Sequence, residues 1–239
     1  MDDLVKSSGL LFKYFSPKEH NKNAFEHNQV YFSFVPTFND PFEMFFVIQQ
    51  KDKEIMSSIN QNLLMTLFYL KSRVCCFTTQ FDNFLMWSHY SNSHKGFCVG
   101  YNEEDIRGID GCNLHKVKYQ RGLPVIGDIS RLSQKDVFFT KGDIWEYEEE
   151  YRALIDLAYC FSKGFYTKQE LWTQDESSFT FSEKGLLATL KPRVIYIGVK
   201  APDDYKNELI SIAKDKRLKI ILVELDKNEY KLNFKELLY

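Results

Sequence analysis

Trp145-Glu146-Tyr147-Glu148-Glu149-Glu150-Tyr151-Arg152, followed by the apolar run Ala153-Leu154-Ile155, is the stretch on which the reading of this chain turns. Alternate residues of a strand share one face. A strand over 147–157 therefore sets Glu148, Glu150 and Arg152 side by side on one face. Tyr151, Ala153 and Ile155 occupy the other and can pack on a core. A charged row on a core-like strand is costly unless it lines a polar cleft. Two readings follow: a catalytic cleft, or a strand edge guarded by charge with Arg152 paired to a glutamate.

The rest of the chain supplies strands and helices in mixed order. Strands are expected over 10–15, 29–34, 74–78, 96–101, 114–119, 194–199 and 219–224. Ser16-Pro17-Lys18-Glu19 reads as a helix start with Ser16 as N-cap, the helix running to about His27. Ile55, Ile59, Leu63, Leu67 and Leu70 recur at helical spacing and predict a long amphipathic helix over 53–71. Shorter helices are expected over 83–90 and 135–139, and a longer one from Pro202-Asp203 to Lys214. No regular β-α alternation appears. The pattern predicts an α+β fold, a mixed or largely antiparallel sheet with flanking helices, in a single domain over 1–239.

Composition narrows the function classes. The chain has 239 residues, 44% hydrophobic and 16% aromatic, enough for a packed core. Its formal net charge of −2 gives no global basic bias toward nucleic acid. No apolar run reaches the length of a membrane span, and Met1-Asp2-Asp3 lacks the basic start of a signal peptide. No membrane association and a cytoplasmic location are expected. Five irregularly spaced cysteines (Cys75, Cys76, Cys98, Cys112 and Cys160) contain no CxxC pair. Free thiols, no disulfide and no metal are expected.

Two further stretches carry chemistry-bearing residues. Phe38-Asn39-Asp40-Pro41-Phe42-Glu43 directly follows the second strand. Asn39 and Asp40 suit a turn, while Asn39, Asp40 and Glu43 could also face a ligand between Phe38 and Phe42. This loop is expected to border the same cleft as the late glutamates. Met86-Trp87-Ser88-His89-Tyr90 places Trp87 and a titratable His89 on a short helix, with His94-Lys95-Gly96 beyond. Ser88 and His89 are neighbours and point apart on a helix, so they make no hydrolase pair. No Gly-x-Ser-x-Gly elbow, phosphate loop, dinucleotide glycine fingerprint or HExxH is present.

Taken in order, these stretches resemble a known family. Phe12-Lys13-Tyr14, Val30-Tyr31-Phe32-Ser33 leading into Phe38 to Glu43, Cys76-Phe77-Thr78, Met86 to Tyr90 with His94-Lys95-Gly96-Phe97-Cys98-Val99, and Trp145-x-Tyr147-Glu148-x-Glu150-Tyr151-Arg152 resemble the bacterial family of unknown function numbered 2971. The resemblance covers roughly residues 10 to 200. It implies a bacterial protein, of a family often found near mobile or phage-defence genes, and no particular reaction.

A second resemblance is mechanistic. The order of Lys13 or Tyr14, then Tyr31 and Ser33, then Glu148-x-Glu150 is similar to that of the ADP-ribosyltransferases, although Lys13 stands where that pattern has Arg or His. It implies an ADP-ribosyltransferase-like fold in an enzyme or a toxin or defence effector, with NAD as co-substrate and Glu150 as the catalytic carboxylate stabilising an oxocarbenium-like ribose. Glu148 would orient the acceptor or the ribose hydroxyls, and Lys13, Tyr14, Tyr31, Ser33, Asn39 and Asp40 would bind the dinucleotide. Glu43, Trp87, His89 and Arg152 would stand behind them or face substrate. The acceptor, whether protein, nucleic acid or small molecule, is open. Two alternatives stand beside this one: a non-catalytic nucleotide-, nucleic-acid- or partner-binding module, and a magnesium nuclease built on Asp40, Glu43 and Glu150.

Overall fold

A computed structural model describes residues 9–48, 66, 68, 70–126, 137–156, 179–182 and 185–239. It is an α+β protein with largely antiparallel strand pairing and several helices. The chain forms two compact units. The first comprises Met1–Val30, Cys76–Ile109 and Ala188–Tyr239; the second comprises Tyr31–Cys75 and Asp110–Leu187.

In the first unit, strand Leu10–Phe15 pairs antiparallel with Phe97–Asn102 in full register, Leu10 opposite Asn102 and Phe15 opposite Phe97. Phe97–Asn102 pairs antiparallel with Val194–Ile197, which runs parallel to Lys219–Leu225, and Leu232–Glu236 closes antiparallel. The parallel pair is joined by helix Asp203–Asp215, which buries Leu209 and Ala213. Phe12, Phe81, Tyr196 and Phe234 form an aromatic cluster with ring separations of 5.0 to 5.9 Å. Truncating one such buried ring to alanine costs roughly 3–5 kcal/mol.

The second unit holds the opening stretch. Strand Glu150–Asp156 pairs antiparallel with Cys112–Lys116, placing Arg152 opposite His115. Lys118–Gln120 runs parallel to Thr140–Gly142, and Val47–Ile48 runs parallel to Val125–Ile126. Ser33 pairs with Val74 in another antiparallel contact.

Several boundaries differ from the sequence reading. The strand expected over 147–157 begins only at Glu150; Asp143–Glu148 is a 3₁₀ helix. Glu149 (φ 42, ψ 49) is left-handed and turns the chain from one element into the other. The strand is no charged edge, because Arg152 is 1% exposed and Ala153, Leu154 and Ile155 are all buried. Ser16 does not cap the first helix, which spans Glu19–Glu26 behind Lys18. Instead the Ser16 carbonyl accepts from Asn21 Nδ2 at 2.9 Å. The helix expected over 53–71 lies largely outside the described residues; of the one expected over 135–139, residues 137 and 138 are helical, and 135 and 136 lie outside the described residues.

Candidate functional site

Five charged side chains of the second unit converge in its interior: Glu43, Lys141, Glu148, Glu150 and Arg152. Each is 8% exposed or less. Arg152 is the hub. Its Nε donates to Glu150 Oε1 at 2.8 Å and its Nη2 to Glu150 Oε2 at 3.1 Å. Nη2 also donates to Glu43 Oε2 at 3.0 Å, and Nη1 donates to Glu43 Oε1 and to the Phe138 carbonyl. A guanidinium has five N–H donors, so this arrangement matches its whole donor set while the Phe38 ring lies 5.8 Å away.

Lys141 ties in the remaining carboxylate. Its Nζ donates to Glu148 Oε2 at 2.5 Å and to Glu150 Oε2 at 3.2 Å. It also sits 4.7 Å from the Trp145 ring centre. Burial pulls the Lys141 pKa down, but Glu150 and Glu148 together outweigh it, so the ammonium is held above its ordinary value. Tyr119 completes the rim: its hydroxyl accepts from the Glu150 backbone N–H at 2.8 Å. Burial, then the two glutamates, raise its pKa, the Glu150 N–H and Arg152 opposing.

The local chain explains the convergence. Glu150 and Arg152 share a strand face by alternation. Glu148 arrives from the end of the 3₁₀ helix, and the left-handed Glu149 lets both glutamates reach one lysine. Glu43 comes from the loop flagged in the sequence. Asp40 Oδ1 accepts from the Phe42 N–H at 2.9 Å, a tight turn that leads into Glu43. The loop and the late glutamates thus meet at Arg152. Lys141 and Tyr119 had no signal in the sequence: neither belongs to a motif, and only the parallel pairing of their strands brings them in.

The other flagged residues are distributed as follows. Tyr31 and Ser33 lie half-buried in the second unit, on strand Gln29–Ser33. Asn39 is exposed. Lys13 and Tyr14 lie in the first unit. Lys13 Nζ donates to the Cys76 carbonyl at 3.3 Å beside the Phe15 and Phe77 rings. Tyr14 is buried, its hydroxyl donating to the Gln80 carbonyl at 2.8 Å and its ring meeting Trp87 edge-on. Trp87 is fully buried and donates to the Phe81 carbonyl at 2.8 Å. His89 is exposed. Ser88 turns away from His89 and meets His94 instead, 3.1 Å from Oγ to Nε2.

Cys75, Cys76, Cys98 and Cys112 are free thiols, and Cys160 lies outside the described residues. Among the described residues, no group of three or more His, Cys, Asp or Glu is arranged to hold a metal ion, and no helix is long and apolar enough to cross a membrane. Chemically, the cluster of the second unit is a saturated salt-bridge core: it can fix backbone segments, and its carboxylates face cations.

These features define an α+β protein with a buried carboxylate–guanidinium–ammonium cluster. Residues 86–153 match the family model described as "Protein of unknown function (DUF2971)". The matched segment contains Ser88, His94 and four of the five cluster residues, and it supports the resemblance to family 2971. No curated protein and no solved structure matches the chain.

Proposed function

We propose that the second unit is a recognition module for a protein partner, with the ion-pair cluster as its scaffold. The observation that carries this reading is the state of Glu150. Both its oxygens accept from Arg152, one also from Lys141, and its side chain is 5% exposed. A carboxylate that stabilises an oxocarbenium-like ribose has to face the sugar. One engaged by three N–H donors inside a sealed cluster fits a structural role, and does not fit the ribose of NAD.

The cluster also shapes a surface. Glu43, Met44 and Phe46 turn inward, whereas Phe42, Phe45 and Val47 are 64%, 43% and 46% exposed. The Phe42 and Phe45 rings meet edge-on at 6.0 Å. Val125, aligned with Val47 across the parallel pair, is 61% exposed. Single exposed apolar residues need no explanation, but a group on one anchored segment marks an interaction surface. Rigidly held aromatic anchors are what protein interfaces use. The formal charge of −2 supplies no general pull toward phosphate backbones. The partner is therefore a protein with a complementary apolar recess.

The test pairs two measurements. A Phe42→Ser/Phe45→Ser variant should keep its unfolding free energy within about 0.5 kcal/mol. It should also lose the protein cross-link formed by a photoreactive side chain placed at Val125. NAD turnover by the wild type, abolished in Glu150→Gln at an unchanged melting point, would replace this reading with ADP-ribosyl transfer.

A further inference from the structure

The first unit contains a serine–histidine contact that the recognition surface does not use. We propose that Ser88 and His94 form a nucleophile–base pair that accepts an acyl group from an ester onto Ser88 Oγ.

Geometry is the first support. Ser88 Oγ and His94 Nε2 are 3.1 Å apart, within the reach a general base needs. Ser88 is half-buried and His94 is 4% exposed. Nδ1 of His94 is buried and has no hydrogen-bond partner among the described residues. With the proton on Nδ1, Nε2 is left as the acceptor facing Ser88. Burial, then the charge of Lys200, lowers the His94 pKa, which keeps the ring neutral and able to take a proton.

Packing, rather than a carboxylate, orients the imidazole. The Phe84 ring lies 4.5 Å from it, and the Trp87 ring stacks nearly parallel to it at 6.4 Å. The backbone holds it as well. Asn92, Ser93 and His94 are three consecutive left-handed residues, with φ of 54°, 58° and 66°. Each costs about 1–2 kcal/mol for an L-residue that is not glycine. Strain of this kind persists only where surroundings over-determine it, and it gathers at functional sites. Here Ser93 N–H donates to the Ser88 carbonyl, His94 N–H to the Trp87 carbonyl, and Lys200 N–H to the His94 carbonyl. A side chain at Gly198 would sit 2.3 Å from that last carbonyl, so only glycine lets the two segments close.

A cleft lies beside the ring that packs on His94. Phe84, one helical turn before Ser88, lines an open cleft of about 670 Å³ with Asp82, Tyr230, Lys231, Leu232, Asn233 and Phe234. Phe84, Tyr230 and Phe234 offer rings to the apolar part of an ester, and Asp82, Lys231 and Asn233 offer polar groups to the rest of it. In the reaction, Ser88 Oγ attacks the carbonyl carbon as its proton moves to His94 Nε2. The bond from that carbon to the leaving alkoxide breaks, and His94 returns the proton to the alkoxide. Water then hydrolyses the acyl-serine to free acid.

The probe is an alkyl fluorophosphonate, which forms an Oγ–P bond and expels fluoride and a proton. Applied to the full native chain, it should give one adduct, mapped by mass spectrometry to Ser88. The rate should exceed that of the urea-unfolded chain by about 10² or more, the usual contribution of a positioned base. Ser88→Ala should abolish the adduct at an unchanged melting point. His94→Gln, read against its own melting point, should reduce the rate to the unfolded level. No adduct, an adduct elsewhere, or equal rates in native and unfolded chain would overturn the proposal and leave the contact a polar tie of the corner.

Discussion

Arg152 and Glu43 stand 109 positions apart in the chain and meet as a forked pair, with Nη2 3.0 Å from Oε2, at 1% and 7% side-chain exposure. This pair fastens a loop to the central strand of the second unit and sets which loop residues face outward. Three carboxylates share Arg152 and Lys141, so removing either cation leaves buried negative charge.

Replacing Arg152 is therefore expected to be severe. Arg152→Met should destabilise the protein by about 3–5 kcal/mol, the cost of breaking a buried pair from one side. Arg152→Lys should recover little, because an ammonium cannot make the two parallel bonds to Glu43. Urea unfolding followed by tryptophan fluorescence measures both; full recovery by lysine would show that charge alone matters.

Alkaline pH should loosen the same cluster. The Lys141 pKa is raised in the folded state, with Glu148, Glu150 and Arg152 as its charged neighbours. A raised lysine contributes stability that is complete below its unfolded pKa, about 10.4, and is lost as pH climbs through the folded value. Tyr119 and Tyr147 are also raised, chiefly by burial, and add loss in the same direction. The difference between wild type and Lys141→Arg isolates the lysine: melting curves from pH 9 to 11 should fall more steeply for the wild type.

Gly96→Ala should disrupt the first unit. An added Cβ would lie 1.9 Å from the Phe15 carbonyl oxygen, and backbone cannot yield as a side-chain tip does. The expected loss is at least about 1–3 kcal/mol. A variant as stable as wild type would show that the strand pair Leu10–Phe15 and Phe97–Asn102 can shift without cost.

Much of this was legible in the sequence, and the misses have physical causes. The strand Leu10–Phe15 follows from its apolar run, and Asn83 caps its helix as its type suggests, accepting from the Leu85 and Met86 N–H groups. Glu43, Glu150 and Arg152 were singled out from the sequence and do meet. The 3₁₀ helix over Asp143–Glu148 was not legible, because nothing in three consecutive glutamates marks the middle one as left-handed. Lys141 was equally silent, its place set by strand pairing. The Ser88–His94 contact spans a left-handed turn built from Asn92, Ser93 and His94, and only the first of these residue types favours that conformation.

Glu150→Gln is the most direct measurement, because glutamine keeps the shape and removes the charge that Arg152 and Lys141 share. With the cluster as scaffold, the unfolding free energy should drop by about 3–5 kcal/mol. For a chain of this size that lowers the melting temperature by roughly 6 to 20 °C. Nicotinamide release from NAD should be absent in wild type and variant alike. An unchanged melting temperature, together with wild-type turnover that the variant loses, would contradict the scaffold account and return Glu150 to catalysis.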